Sequence, residues 1–221
     1  ELFQLDDQLN PTDVAGVPPD GFTADGQLWG NPVYNWRYMK STGYDWWIKR
    51  LKMSLKIYDV VRIDHFRGFE AYYCIKYGET TARNGKWRKG PDIAFWKCIK
   101  KQMGDLPIIA EDLGFLTPRV HKMLEESGFP GMKVLQFAFD SRDGNNYLPH
   151  NYPKNCVVYT GTHDNDTLAG WFDGAPAEDV EYARKYLRLS VEEGFAEGVI
   201  KSAMASVGDT VILTMQDLLG L

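Results

Sequence analysis

Three carboxylates in this 221-residue chain stand where apolar runs end. Asp64 closes the run Tyr58-Asp59-Val60-Val61-Arg62-Ile63-Asp64, Glu111 follows Leu106-Pro107-Ile108-Ile109-Ala110, and Asp164 lies in Gly161-Thr162-His163-Asp164 behind Cys156-Val157-Val158-Tyr159. Acids gathered on one rim repel each other, and that cost is offset only by something cationic among them: a metal, an arginine or a positively charged transition state. Glycosyl transfer supplies the last. One ionised carboxylate attacks or stabilises the anomeric carbon while a second, kept protonated, delivers a proton to the leaving oxygen. Arg62 sits two residues before Asp64, on the same face of an alternating strand, and its guanidinium holds that carboxylate ionised. Glu111 follows three apolar residues, and desolvation there makes it keep its proton longer. These environments read Asp64 as nucleophile and Glu111 as acid/base. Two blander readings stand beside this one. Arg62 and Asp64 form a purely structural ion pair, or His65, His163 and the aspartates form a Zn or Mn site. The HExxH-type spacing is missing, and the histidines serve equally as donors to sugar hydroxyls.

The elements that position these residues repeat one grammar: a short apolar run, polar residues, then a helix. The runs start at residues 58, 106, 131 (Gly131 to Asp140), 156 and 209. Trp47, Ile48, Leu51 and Leu55 recur at helical spacing over about 42–57. A second helix is expected over about 92–103, and a third opens at Thr117-Pro118 and stops at Gly128. Two more are expected over 177–191 and 193–206. Continuous apolar strands alternating with helices form a parallel sheet covered on both faces, with polar residues at the strand C-termini. A (β/α)8 TIM barrel places its active site there. A doubly wound open sheet is second choice, because the Gly-rich phosphate turn is absent. Five strands are recognised instead of eight. The expectation is therefore an α/β chain holding the C-terminal portion of a (β/α)8 barrel, its first strands lying before Glu1. Residues 1–221 then belong to a single catalytic barrel domain. Residues 1–41 form an aromatic active-site loop region and 42–221 the alternating strands and helices. Residues 6–36, rich in Pro, Gly, Asp and Asn, read as one long loop carrying Phe22, Trp29, Tyr34 and Trp36. Residues 78–91 read as another.

Composition narrows the partners. A net charge of -5 with no stripe of Lys and Arg argues against nucleic acid and toward an uncharged ligand. Aromatic residues make up 14%, with seven Trp and twelve Tyr, several in loop-like stretches where flat rings are platforms for sugars or bases. Cys74, Cys98 and Cys156 are odd in number, far apart and flanked by apolar or aromatic residues, so they read as reduced, packed thiols of a cytoplasmic protein. No apolar run is long enough to span a membrane, and Glu1-Leu2-Phe3-Gln4-Leu5-Asp6-Asp7 lacks a signal-peptide pattern.

Taken together, Val61-Arg62-Ile63-Asp64-His65-Phe66-Arg67-Gly68, Ile109-Ala110-Glu111-Asp112-Leu113-Gly114 and Gly161-Thr162-His163-Asp164-Asn165-Asp166-Thr167 resemble the 4-α-glucanotransferases, the amylomaltase or disproportionating-enzyme family of the α-amylase clan. Gly26 to Trp36, Gly131 to Asp140 and Gln216-Asp217-Leu218-Leu219-Gly220 are similar to it too. The resemblance implies retaining transfer of α-1,4-glucan segments from donor to acceptor, without cofactor or metal. Asp64 is then the nucleophile, Glu111 the acid and later the base, and Asp164 the carboxylate gripping sugar hydroxyls. Arg62, His65, His163, Gln27, Trp29, Asn31, Tyr34 and Phe137 are implied as substrate-binding residues. The residues alone reach only retaining glycosidase chemistry. A retaining α-glucan hydrolase of the same clan stays open as the alternative, and a silent glucan-binding protein stands third.

Overall fold

In the computed structural model, which describes residues 1–21, 23–139 and 147–221, the chain divides into two units, Glu1–Phe129 and Pro130–Leu221. Phe22 of the ring-bearing stretch and Asp140 at the end of the third apolar run lie outside the described residues.

The first unit corrects both expected loops. Residues 6–36 contain strands Asp13–Val17 (β1) and Gln27–Pro32 (β2) and run into a short helix, Trp36–Ser41 (α1), then Asp45–Ile57 (α2). After Val61–Ile63 (β3) come two further strands, Ala71–Lys76 (β4) and Lys86–Lys89 (β5), the latter inside the second expected loop. These form a four-stranded antiparallel sheet ordered β2-β1-β4-β5. It escaped the sequence because β2 and β5 are exposed almost throughout and show no alternation of apolar and polar residues. The two hairpins, β1–β2 and β4–β5, are joined by the β1–β4 ladder, with Asp13 opposite Lys76 and Gly16 opposite Tyr73, partners far apart in sequence. Both edges carry residues that discourage further pairing, Pro32 on β2 and Lys86, Arg88 and Lys89 on β5.

Helix Ile93–Met103 (α3), strand Ile108–Ala110 (β6) and helix Pro118–Ser127 (α4) complete the unit. The Thr117 hydroxyl accepts from the Val120 N–H, Pro118 takes the first turn, and Gly128 ends the helix at φ 75°, as the sequence signals. β3 and β6 pair in parallel, Val61 opposite Ile108 and Ile63 opposite Ala110. Ile63, Ile108 and Ala110 join the core built on Trp47, Leu51, Phe66, Phe95 and Met123. Strand alternation therefore turns Arg62, Asp64, Ile109 and Glu111 to the opposite face.

The hairpin β4–β5 is bound closely to its neighbours. The Gly90 N–H donates to the Glu70 carbonyl at 2.8 Å, and a Cβ at residue 90 would run into the carbonyls of Gly68 and Phe69. Gly90→Ala is expected to lower unfolding free energy by about 1–3 kcal/mol, through overpacking against backbone that cannot yield. A denaturant titration that leaves the midpoint unmoved would refute it.

The second unit is a three-stranded parallel sheet of Gly131–Val134 (β7), Cys156–Tyr159 (β8) and Thr210–Ile212 (β9), with β8 central and buried at all four positions. The run from Gly131 is a strand only to Val134. It tightens into a 3-10 turn at Leu135–Phe139. Helices Leu168–Gly174 (α5), Ala177–Leu187 (α6), Phe195–Met204 (α7) and Met215–Leu219 (α8) follow in order, α5 and α8 being unforeseen. Cys74 and Cys98 are free thiols, and Cys156 is buried in β8. Among the described residues no helix is long and apolar enough to cross a membrane.

Candidate active site

The end of β3 and the end of β6 meet in the first unit. Backbone bonds continue past both strand ends, the Glu111 N–H donating to the Ile63 carbonyl at 2.9 Å and the Phe66 N–H to the Glu111 carbonyl at 2.9 Å. Asp64 and Glu111 are thereby carried on adjacent strand ends, on the face turned from the helices. Arg62 Nη1 lies 2.7 Å from Asp64 Oδ1, and the Asp64 side chain is 74% exposed. An ion pair so open to water stabilises a fold by at most about 1 kcal/mol, which is too little to explain an acid placed here for structure alone.

Glu111 is built differently. Its Oε2 accepts from the His65 backbone N–H at 2.6 Å and its Oε1 from the Leu113 N–H at 2.8 Å. Burial pushes its carboxyl above the ordinary glutamate range. The two amides and the Arg62 charge pull it back, and the Asp64 charge pushes the same way as burial. One carboxylate is exposed beside a cation and its neighbour is half-buried and keeps its proton to higher pH than an exposed glutamate, the division that separates nucleophile from acid.

His65 supplies its amide by adopting the left-handed region, φ 48° and ψ 52°. Its ring is buried, which with the charge on Arg67 lowers its pKa to about 4 and keeps it neutral near neutral pH. Nε2 has no hydrogen-bond partner among the described residues. The Trp29 ring meets the His65 ring edge to face at 4.8 Å, and its indole N–H donates to Gln27 Oε1 at 3.0 Å, so β2 reaches the strand ends through aromatic contact. A cavity of about 570 Å³ opens here, lined by Trp29, Asn31, Tyr34, Arg62, Asp64 and His65 among others. Tyr34 presents less free ring than a loop residue would. It packs among Phe3, Trp36, Trp46 and Trp47, and its hydroxyl accepts from Arg50 at 3.0 Å.

Sequence reasoning passed over Arg67. Its buried guanidinium lies 4.1 Å over the Trp87 ring and donates to the Phe115 carbonyl at 2.7 Å, tying the segment after β6 to the segment after β3. A second arginine five residues after Arg62, before a glycine, was the available signal.

The remaining expected residues lie in the second unit. Asp164 and His163 occupy the connection from β8 to α5, with His163 Nε2 3.3 Å from Asp164 Oδ2 and both side chains mostly exposed. Phe137, in the turn after β7, packs edge to face on Tyr147 at 5.4 Å. Among the described residues no three His, Cys, Asp or Glu side chains stand close enough to share a metal ion.

Comparison with known proteins places the chain in a family. A family model described as 4-alpha-glucanotransferase matches residues 1–221. A 4-alpha-glucanotransferase of Clostridium butyricum is 53% identical over 223 residues, covering 100% of this chain and 46% of that protein. The chloroplastic/amyloplastic 4-alpha-glucanotransferase of Solanum tuberosum is 45% identical over 219 residues, covering 99% and 38%. Among solved structures, an amylomaltase from Streptococcus agalactiae in complex with acarbose superposes with a TM-score of 0.95 at 46% identity, covering 99% of this chain and 44% of that one. The chain spans less than half the length of these relatives.

Proposed function

The chain belongs to the 4-α-glucanotransferase family, and from that premise we propose that the whole protein passes α-1,4-glucan segments from a donor to an acceptor glucan by a retaining double displacement. Asp64 attacks the anomeric carbon as the glycosidic bond breaks, and Glu111 gives its proton to the departing glucan oxygen. Glu111, now ionised, takes the proton of an incoming 4-hydroxyl, and that oxygen displaces Asp64. Two inversions at one carbon return the α configuration. The observation that carries this reading is the pair of carboxylates on adjacent strand ends, one exposed beside Arg62 and one half-buried in an amide cradle. Asp164 holds sugar hydroxyls, and Arg62, His65, His163, Gln27, Trp29, Asn31, Tyr34 and Phe137 contact the glucan. The parallel pair β3–β6 and the parallel trio β7–β8–β9 are each consistent with parts of a (β/α)8 barrel, and we assign residues 1–221 to one catalytic barrel domain. The free thiols Cys74 and Cys98 support a reducing, cytoplasmic setting.

Maltotriose tests the reaction. The full-length enzyme is expected to yield glucose and longer maltooligosaccharides at a constant number of reducing ends. A rise in reducing ends identifies a hydrolase, and absence of any product a binding protein.

A further inference from the structure

We infer that Asp217 is a positioning residue for Asp164, an inference that rests on the reading of Asp164 as a sugar-gripping carboxylate. Residues 161–167, the connection that carries Asp164, bury almost no apolar side chain, and Asp164 itself is mostly exposed. Polar anchors must hold the backbone instead. Asp217 is the principal one. Its side chain is buried, at 3% exposure, and its two oxygens reach the two ends of the connection. Oδ2 accepts from the Thr160 hydroxyl at 2.6 Å, just after β8, and Oδ1 accepts from the Leu168 N–H at 2.8 Å, the first residue of α5. One carboxylate thus fixes the span between entry and exit. Asp217 is itself held, its N–H donating to the Thr214 hydroxyl at 3.3 Å.

Two further contacts set the interior of the connection. Gln136 Nε2 donates to the Asp166 carbonyl at 2.8 Å, and a Cβ at Gly161 would come within 2.8 Å of that same nitrogen. The Asn165 side chain accepts from both the N–H and the hydroxyl of Thr162, at 2.9 and 2.8 Å. A buried carboxylate is a costly way to fill space, and an apolar residue would pack without that cost. What an apolar residue cannot do is define two donor positions at once. An amide can do much of it. In Asp217→Asn the Thr160 hydroxyl can turn to accept from the new amide nitrogen, while the remaining side-chain oxygen still receives the Leu168 N–H.

The test is a double-mutant cycle in the full-length enzyme, read as kcat/KM for maltotriose disproportionation. Asp217→Ala is expected to lose roughly 10²-fold, the scale of a misplaced binding group, and Asp217→Asn to recover most of that loss. In an Asp164→Ala background, Asp217→Ala is expected to cost less than about 2-fold more, since two residues acting through one contact are not additive. Full multiplication of the two losses overturns the proposal, as does an active, folded Asp217→Ala variant. An Asp164→Ala variant at wild-type activity removes the sugar-gripping role first, which separates that failure from failure of the positioning. Should Asp217→Ala not fold, Thr160→Val deletes one anchor and leaves the Leu168 bond. Its loss, expected to be roughly 5- to 10-fold, must vanish in the same Asp164→Ala background.

Discussion

Asp64→Asn is expected to abolish turnover, by at least about 10³-fold, and to leave maltooligosaccharide binding measurable. The amide keeps the size and the hydrogen-bonding reach of the side chain but has no anionic oxygen to form the covalent intermediate. Three decades correspond to about 4 kcal/mol of barrier. Nothing comparable is at stake in folding. The exposed pair with Arg62 contributes at most about 1 kcal/mol, so the variant remains folded and the loss is chemical. Calorimetric titration with a maltooligosaccharide alongside the maltotriose assay separates the two effects. Retained turnover in a homogeneous Asp64→Asn preparation sinks the nucleophile assignment.

Glu111→Gln is expected to lose roughly 10²- to 10⁴-fold, the usual contribution of general acid–base catalysis. It should also change the shape of the pH profile. Because burial disfavours the ionised form, the Glu111 proton is held above the ordinary glutamate range, so the acid form persists to higher pH than at an exposed glutamate. In the wild-type enzyme kcat/KM falls as pH rises through that raised pKa, and the descending limb disappears in the glutamine variant. A limb that survives unchanged in Glu111→Gln belongs to another group. The same shift has a sign for stability. A folded pKa above the unfolded value gives stabilisation that is complete below the unfolded pKa and is lost as pH rises through the folded one. Ionising Glu111 therefore costs the fold stability.

What the sequence disclosed and what it hid divide along one line. Strands β6 and β8 were readable because every residue in them is apolar. The Thr117-Pro118 start and the Gly128 stop of α4 were readable because caps are local. The sheet β2-β1-β4-β5 was not, since exposed strands such as Gln27–Pro32 carry no periodic mark and the ladder that joins the two hairpins, β1 with β4, pairs residues far apart in sequence. The acids themselves stood in plain view. The cradle of Glu111 did not, because the amides of His65 and Leu113 belong to the backbone, and only a left-handed histidine aims one of them. Arg67 and Asp217 were overlooked for a related reason. Their partners, a carbonyl, a backbone N–H and a hydroxyl, are tens of residues away.

The antiparallel sheet is stitched from two stretches of chain, one before α1 and one after β3, joined by the β1–β4 ladder. Adding a single residue within either stretch would shift that ladder and reverse every side chain on the moved strand, Trp29 among them if β2 moved. An inserted or deleted residue is therefore expected to be tolerated in the connections between β1 and β2 and between β4 and β5, and not within the strands. The register of the two stretches is in this way coupled to the contact between Trp29 and His65.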